Sequence, residues 1–319
     1  MNRQEWPYYP YTVQIEAVQG CNRRCRFCGT AGMERKFYFA DIKTVQHTCR
    51  LIRDAGLNCR ILLAGHGEPT LHPQIAQIIA EIRKHLPENT IHLFTNGTVI
   101  EKHPEMVVEL FNAGLNDLVF DEYSDHRVGE FVRNDPICRS FRVVEQGRGV
   151  PLMCEKKPGQ KRICIVPPID IVGKNTANRK LINHCGAGMK PLRAPLEAKC
   201  GNLFRDLFVR WDGNIAICCN DFRGEYYVTN IMQCGTLREA YFHRRLESAR
   251  RFSMINNRKA VHPCDVCNDK PIRPGLLPDR SGKVKLDKPT AEDYRIVMEN
   301  REPLAKVVRR EWEAGGRKT

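Results

Sequence analysis

Residues 11–28 read YTVQIEAVQGCNRRCRFC, and the fold turns on how they are read. The β-rich run with Thr12, Val13, Ile15 and Val18 predicts a strand over residues 11–18. That strand passes directly into a loop carrying Cys21, Cys25 and Cys28. In parallel α/β folds the loops leaving the C-terminal ends of strands converge on one face, where active sites sit. Thiolates are soft ligands suited to iron-sulfur clusters, and a cubane normally takes four of them. Three leave one iron open, able to chelate a small molecule and pass it an electron. Taken alone, the triplet also allows a zinc site completed by a histidine such as His66 or His72.

Outward from this stretch, helical and strand patterns alternate. Residues 42–55 space Ile42, Val45, Leu51 and Ile52 along one helix face. A strand follows at 60–64, then a helix at 75–86 with Ile75, Ile78, Ile79 and Ile82 on one side, and a strand at 90–94. A helix at 106–113 and strands at 118–121, 140–144 and 162–166 complete the series. This is the pattern of parallel strands joined by crossover helices, and it predicts an α/β fold: a partial (β/α)6 barrel over residues 1–173. From residue 174 cysteines, glycines and turn signals replace the alternation, which predicts a small auxiliary module over 174–268. Residues 269–319 read as a strap rich in proline and charge followed by a short helical tail. There, Thr290 and Asp293 have the spacing of a capping box, and Pro303 suits the first turn of a further helix.

Composition narrows the class. The chain has 319 residues, 42% hydrophobic and 28% charged, as in ordinary globular enzymes and unlike disordered chains. No apolar run reaches the roughly 18 residues of a membrane span, and the opening MNRQEWPYYP has no apolar stretch, so no membrane partner and a cytoplasmic location are expected. In that compartment fifteen cysteines point to metal or redox chemistry before disulfides. The formal charge of +14, from 51 Lys and Arg against 37 Asp and Glu, would attract a polyanion. Arg23, Arg24 and Arg26 lie beside the cysteine loop, and Arg244, Arg245, Arg250 and Arg251 form a second group. Either group suits phosphates; the bland readings are charge balance at a cluster and a solvated helix face.

The loop Cys-x3-Cys-x2-Cys resembles the signature of the radical S-adenosylmethionine superfamily. Phe27 fills its aromatic position, whose backbone in that family lies near the adenine. Gly67, Glu68 and Pro69 match the motif that contacts the amino group of the methionine moiety. Thr95, Asn96 and Gly97 end the next strand, and Asn96 is placed to offer polar atoms to the cofactor. The resemblance implies a 4Fe-4S cluster on Cys21, Cys25 and Cys28, S-adenosylmethionine on its open iron, and reductive cleavage to a 5'-deoxyadenosyl radical that abstracts hydrogen. It also implies a reductase or flavodoxin-type electron donor.

Further on, CGNLFRDLFVRWDGNIAICCND spans residues 200–221. Residues 207–210 and 214–218 flank an Asp212-Gly213 turn and predict a hairpin. The segment is similar to the opening of a SPASM or twitch-type auxiliary domain, which implies a second 4Fe-4S cluster on Cys200, Cys218, Cys264 and Cys267. Cys219 and Cys234 are possible substitutes, Cys185 is a possible nearby ligand, and zinc is the alternative metal. The array for a third cluster is missing. Cys49, Cys59, Cys138, Cys154 and Cys164 have no partner spacing and read as small buried hydrophobes. Asp121 and Glu122, at a strand end, are expected at the same mouth.

The expected reaction is radical modification or rearrangement of a nucleotide or of a base in nucleic acid, with the choice among isomerase, oxidoreductase and transferase open. Modification of a ribosomally made peptide is the alternative. A non-catalytic iron-sulfur or zinc protein that binds nucleic acid is the alternative of another class.

Overall fold

The computed structural model describes residues 6–122, 127–145, 159–167, 182–188, 190–269 and 286–301. Its strands are β1 (Thr12–Ile15), β2 (Val18–Gln19), β3 (Tyr38–Phe39), β4 (Arg60–Leu63), β5 (Ile91–Thr95), β6 (Asp117–Asp121), β7 (Arg142–Glu145), β8 (Arg162–Val166), β9 (Asp206–Val209), β10 (Asn214–Ala216) and β11 (Tyr227–Asn230). Its helices are α1 (Ile42–Asp54), α2 (Ile75–His85), α3 (Met106–Asn112), α4 (Arg127–Asn134), α5 (Pro136–Arg139), α6 (Asn202–Arg205), α7 (Leu237–Tyr241), α8 (Arg244–Met254) and α9 (Ala291–Glu299).

The main sheet runs β11-β10-β9-β1-β4-β5-β6-β8-β7, open at both ends, and β1, β4, β5, β6, β8 and β7 are parallel. It is a partial barrel. Val13, Ile15, Ile61, Leu63, Ile91, Leu93, Leu118, Phe120, Ile163 and Ile165 alternate along their strands and share one face of the sheet, where all are buried; the other face carries Thr12, Gln14, Arg60, His92, Asp117 and Arg162. Helices α1 and α2 pack side by side, burying Val45, Leu51 and Ile52 from one and Ile75, Ile78, Ile79 and Ile82 from the other.

Three features depart from the expected order. The first strand stops at Ile15 because Glu16 turns its carboxylate to the backbone N–H of His66 at 2.9 Å, and the chain resumes as β2, paired with β3. The last two barrel strands are exchanged: β8 lies between β6 and β7, leaving the weaker, half-exposed β7 at the edge. The sheet also continues past β1, because β9 pairs parallel to it, Thr12 opposite Asp206 and Ile15 opposite Val209. The hairpin β9-β10 turns at Gly213, whose φ of +80° suits glycine.

The capping box forms as read. Thr290 accepts from Asp293 N, the Asp293 carboxylate accepts from Thr290 N at 2.8 Å, and α9 docks on α8 through Ser248 at 2.7 Å and Arg251 at 2.9 Å. The boundary near Gly173, Cys154, the strap over 270–285 and the helix at Pro303 lie outside the described residues. No helix of the described residues is long and apolar enough to cross a membrane.

Candidate active site

The loops leaving β2 and β4 are stitched together at Gly20. Its N–H donates to His66 O and its carbonyl accepts from Glu68 N, both at 3.0 Å, bridging Gly20 to Gly67. A Cβ at Gly67 would lie 2.2 Å from Val18 O, so only glycine permits this approach. Pro69 opens a 3-10 turn capped by the Glu68 side chain. The Glu68 carboxylate is buried, and its Oε1 accepts from Thr70 N at 3.1 Å, Thr70 Oγ1 at 2.6 Å and Thr95 Oγ1 at 2.7 Å. Its Oε2 accepts from Asn96 N at 2.7 Å. Burial raises the pKa of this carboxyl, opposed by those donors. Glu68 thus ties the end of β4 to the end of β5.

That tie delivers Asn96 to the cysteine loop. Asn96 Nδ2 donates to Cys21 Sγ at 3.5 Å and to Asn22 Oδ1 at 2.9 Å. Arg23 N points at Cys21 Sγ at 3.4 Å, and Thr30 Oγ1 donates to Cys28 Sγ at 3.2 Å. Cys28 N closes a turn on Cys25 O at 2.9 Å. Burial pushes the Cys21 thiol up to about 11. Three half-buried thiols on one short loop, with N–H and O–H donors aimed at two of the sulfurs, form a donor set that fits a three-cysteine cluster. Beside them a cavity of ≈ 180 Å³ is lined by Gly65, Gly67, Glu68, Thr95, Asn96 and Asp121. Asp121 faces it as expected; Glu122 is buried against Gly129 of α4.

The second cysteine set also converges. Cys264 lies within electrostatic reach of Cys218, Cys200 and Cys267, and all four are buried. Burial pushes the Cys200 thiol up to about 12. Cys185 joins them, buried beside Cys218 and Cys267; this closeness raises the Cys185 thiol and lowers that of Cys267. Cys219 neighbours Cys218 but sits among Arg205, Asp206 and Asp269. Cys234 lies apart, its thiol on Asn230 O at 3.6 Å. Arg258, buried below, feels the charge of Cys264, Cys200, Cys267 and Cys185, which outweighs the lowering effect of burial on its pKa. Among the described residues its Nε has no hydrogen-bond partner. A buried cation with a spare donor among thiols fits an anionic cluster. Among the described residues no three Cys, His, Asp or Glu side chains gather tightly enough to hold a single ion. Cubane ligands stand on separate irons, farther apart than ligands of one zinc.

His72 and His66 are both committed elsewhere. His72 is held between Ala40 O and Gln74 N. His66 Nδ1 stands 3.1 Å from Glu16 Oε1, its Nε2 faces Cys219 O at 3.0 Å, and both side chains are fully buried. Burial works to raise the Glu16 carboxyl, and His66 holds it below its ordinary value. His66 packs between Phe208 and Phe222, at ring distances of 4.8 and 4.1 Å, so it links the barrel mouth to the segment carrying Cys218.

An opening of ≈ 530 Å³ lies between the cysteine loop and the auxiliary module, its lining including Gln19, Lys36, Tyr38, Trp211, Phe222 and Arg223. Trp211 stacks on Tyr38 at 4.6 Å and donates its indole N–H to Gln19. The second basic group is not at this opening. Arg250 is fully buried, holding Leu203 O at 2.8 Å and Tyr241 O at 2.6 Å; Arg245 is buried, and Arg251 pairs with Asp293. An arginine run on a helix is indistinguishable in sequence from a solvated face until the aromatic residues around it are known; here Arg250 lies 4.1 Å over the Tyr241 ring.

Sequence reading missed Glu16, His184, Trp211, Phe222 and Arg258. A carboxylate inside an apolar strand run was the one available signal, at Glu16; the others are ordinary loop or helix residues until the loops meet.

Comparison with known proteins gives two family matches: the radical SAM superfamily over residues 15–134 and an iron-sulfur cluster-binding domain, SPASM, over 200–268. A probable GTP 3',8-cyclase of Thermoplasma volcanium is 31% identical over 105 residues, 33% of this chain and 30% of that protein. A GTP 3',8-cyclase of Chlorobaculum tepidum is 27% identical over 124 residues, 39% of this chain and 36% of that protein. The chain thus matches about a third of the length of these relatives. Among solved structures, BtrN in complex with AdoMet and 2-DOIA superposes with a TM-score of 0.61 at 16% identity, over 82% of this chain and 94% of that one. At that identity the likeness is one of fold.

Proposed function

We propose, for a chain that belongs to the radical S-adenosylmethionine superfamily and carries a SPASM iron-sulfur domain, that it is an enzyme acting on a nucleotide or on a base in nucleic acid. When bound, the cluster and S-adenosylmethionine supply a 5'-deoxyadenosyl radical for hydrogen abstraction. Cys21, Cys25 and Cys28 would hold that cluster; Cys200, Cys218, Cys264 and Cys267 would hold the auxiliary one. Gly67, Glu68 and Asn96 border the small cavity suited to the methionine end of the cofactor, and Pro69 opens the turn that holds Glu68 there. Phe27, whose carbonyl packs on Gly188, would border the adenine side, as the family resemblance implies. Glu68 fixes Asn96, and Asn96 in turn directs an N–H at Cys21.

The observation that carries the substrate reading is the ≈ 530 Å³ opening beside Gly29, which combines the Trp211–Tyr38 stack with Lys36 and Arg223. Aromatic faces suit a base, and Arg223 and Lys36 suit phosphate oxygens, which would displace Glu34, the 2.7 Å partner of Lys36 on the same lining. The names of the GTP 3',8-cyclase relatives support the same class.

The test is anaerobic reconstitution with iron and sulfide, reduction in the presence of S-adenosylmethionine, and chromatography for 5'-deoxyadenosine. Nucleoside triphosphates, RNA, DNA and unstructured peptides are each added separately. Turnover stimulated by a nucleotide or nucleic acid supports the reading, and stimulation by peptides alone overturns its substrate half. No 5'-deoxyadenosine from a fully loaded protein overturns the reaction class in favour of a structural iron-sulfur protein.

A further inference from the structure

Five cysteines meet in the auxiliary module, and a closed cubane takes four. Cys200, Cys218, Cys264 and Cys267 already supply four. The fifth, Cys185, is buried beside two of the others, Cys218 and Cys267.

Its placement is enforced by the backbone. His184 and Cys185 have φ of 48° and 53°, a left-handed conformation that L-residues disfavour, adopted here by two in succession. Asn183, buried just before them, is sewn to the segment carrying Cys264 and Cys267. Asn183 N donates to Asn268 Oδ1 at 2.6 Å, Asn268 N to Asn183 Oδ1 at 3.0 Å, and Asn183 Nδ2 to Val266 O at 2.7 Å. Three hydrogen bonds to the two residues flanking Cys267 hold a strained turn where its thiol reaches the cysteine set.

We propose that Cys185 is a reserve ligand of the auxiliary cluster, able to take over from either Cys218 or Cys267. In the exchange the iron-sulfur bond to the departing cysteine breaks as that to Cys185 forms, and the proton of the Cys185 thiol passes to the departing sulfur. The thiolate count, the charge and the electron count of the cluster stay the same. The departing thiol is left beside the cluster as a weak donor, so a coordination position changes hands without the cluster being lost. The inference rests on the iron-sulfur domain and is independent of the nucleotide reading.

The test uses the full chain, reconstituted anaerobically, with iron, acid-labile sulfide and the electron paramagnetic resonance spectrum of the reduced protein as readouts. Cys185→Ser keeps about eight irons, as two cubanes require, and the spectrum of the unaltered protein. Cys267→Ser and Cys218→Ser each keep about eight irons with an altered auxiliary signal. Adding Cys185→Ser to either removes about four. Two results overturn the proposal: loss of the auxiliary irons in either Cys267→Ser or Cys218→Ser with Cys185 intact, or their loss in Cys185→Ser alone.

Discussion

His184 Nδ1 accepts the backbone N–H of Gly29 at 3.4 Å, joining the residue after Cys28 to the residue before Cys185. Around this contact the first cysteine loop packs on the segments that flank the second cysteine set. A Cβ at Gly188 would lie 2.3 Å from Phe27 O, and Phe222 sits between His66 and His184, 4.5 Å from the latter. The auxiliary module therefore braces the loop that carries the first cluster's ligands.

Gly29 is a second tight point of that packing, since a Cβ there would lie 2.5 Å from the Phe222 ring. Gly29→Ala is expected to cost about 1–3 kcal/mol through overpacking. Phe222→Leu in the same chain is expected to recover part of that loss, a non-additivity typical of contacting residues. Urea unfolding under anaerobic conditions measures both.

Cys25→Ala removes one of three thiols from a loop that has none to spare. The protein is expected to lose about four irons, the content of one cubane, and to form no 5'-deoxyadenosine. Iron analysis and chromatography read the two effects. An unchanged auxiliary resonance signal shows that the rest of the chain is folded.

Arg258 places a cation against the auxiliary thiols. A nearby positive charge favours the reduced cluster, which carries one more negative charge. Arg258→Met is expected to move the auxiliary midpoint potential to a more negative value and leave the first cluster unchanged. Arg258→Lys should restore part of the shift, since it keeps the charge but not the planar fork of donors. A potentiometric titration followed by electron paramagnetic resonance checks both variants.

Asp293 gives a prediction in pH. Burial works to raise its carboxyl, but Thr290 N–H, the Ser248 and Thr290 hydroxyls and Arg251 together hold it below the ordinary value. A lowered carboxyl contributes stability that is present above its unfolded pKa of about 3.9 and is lost as pH falls through the folded value. Asp293→Asn is expected to cost about 1–2 kcal/mol at neutral pH, as for loss of a helix cap. The difference in Tm between the two proteins should shrink below about pH 4.

How much of this was legible in the sequence depended on whether the signal was local. The helices α1 and α2 were legible because apolar residues recur on one face, and the cysteine loop because three thiols stand at fixed short spacings. The capping box was legible because Thr290 and Asp293 are three residues apart. The exchange of β7 and β8 was not, because strand order is set by which edge a later segment finds; β8, buried along its length, takes the inner place and β7 the edge. Arg245 and Arg250 were misread for a related reason. Their burial depends on Tyr8, Phe204, Tyr227 and Tyr241, which come from distant parts of the chain.

The sequence by itself determined the parallel α/β alternation, the cysteine triplet following the first strand, the glycine-glutamate-proline turn at the next strand end, and the hairpin opening the second cysteine set. Each is a pattern written over a few consecutive residues, where backbone period and ligand spacing act directly. Only the tertiary structure decided that β9 extends the barrel sheet from β1, that Glu68 spends both carboxylate oxygens tying strand ends, and that Cys185 enters the auxiliary set. These are contacts across long stretches of chain, fixed by packing and by the requirement that buried polar groups find partners, and no local pattern encodes them.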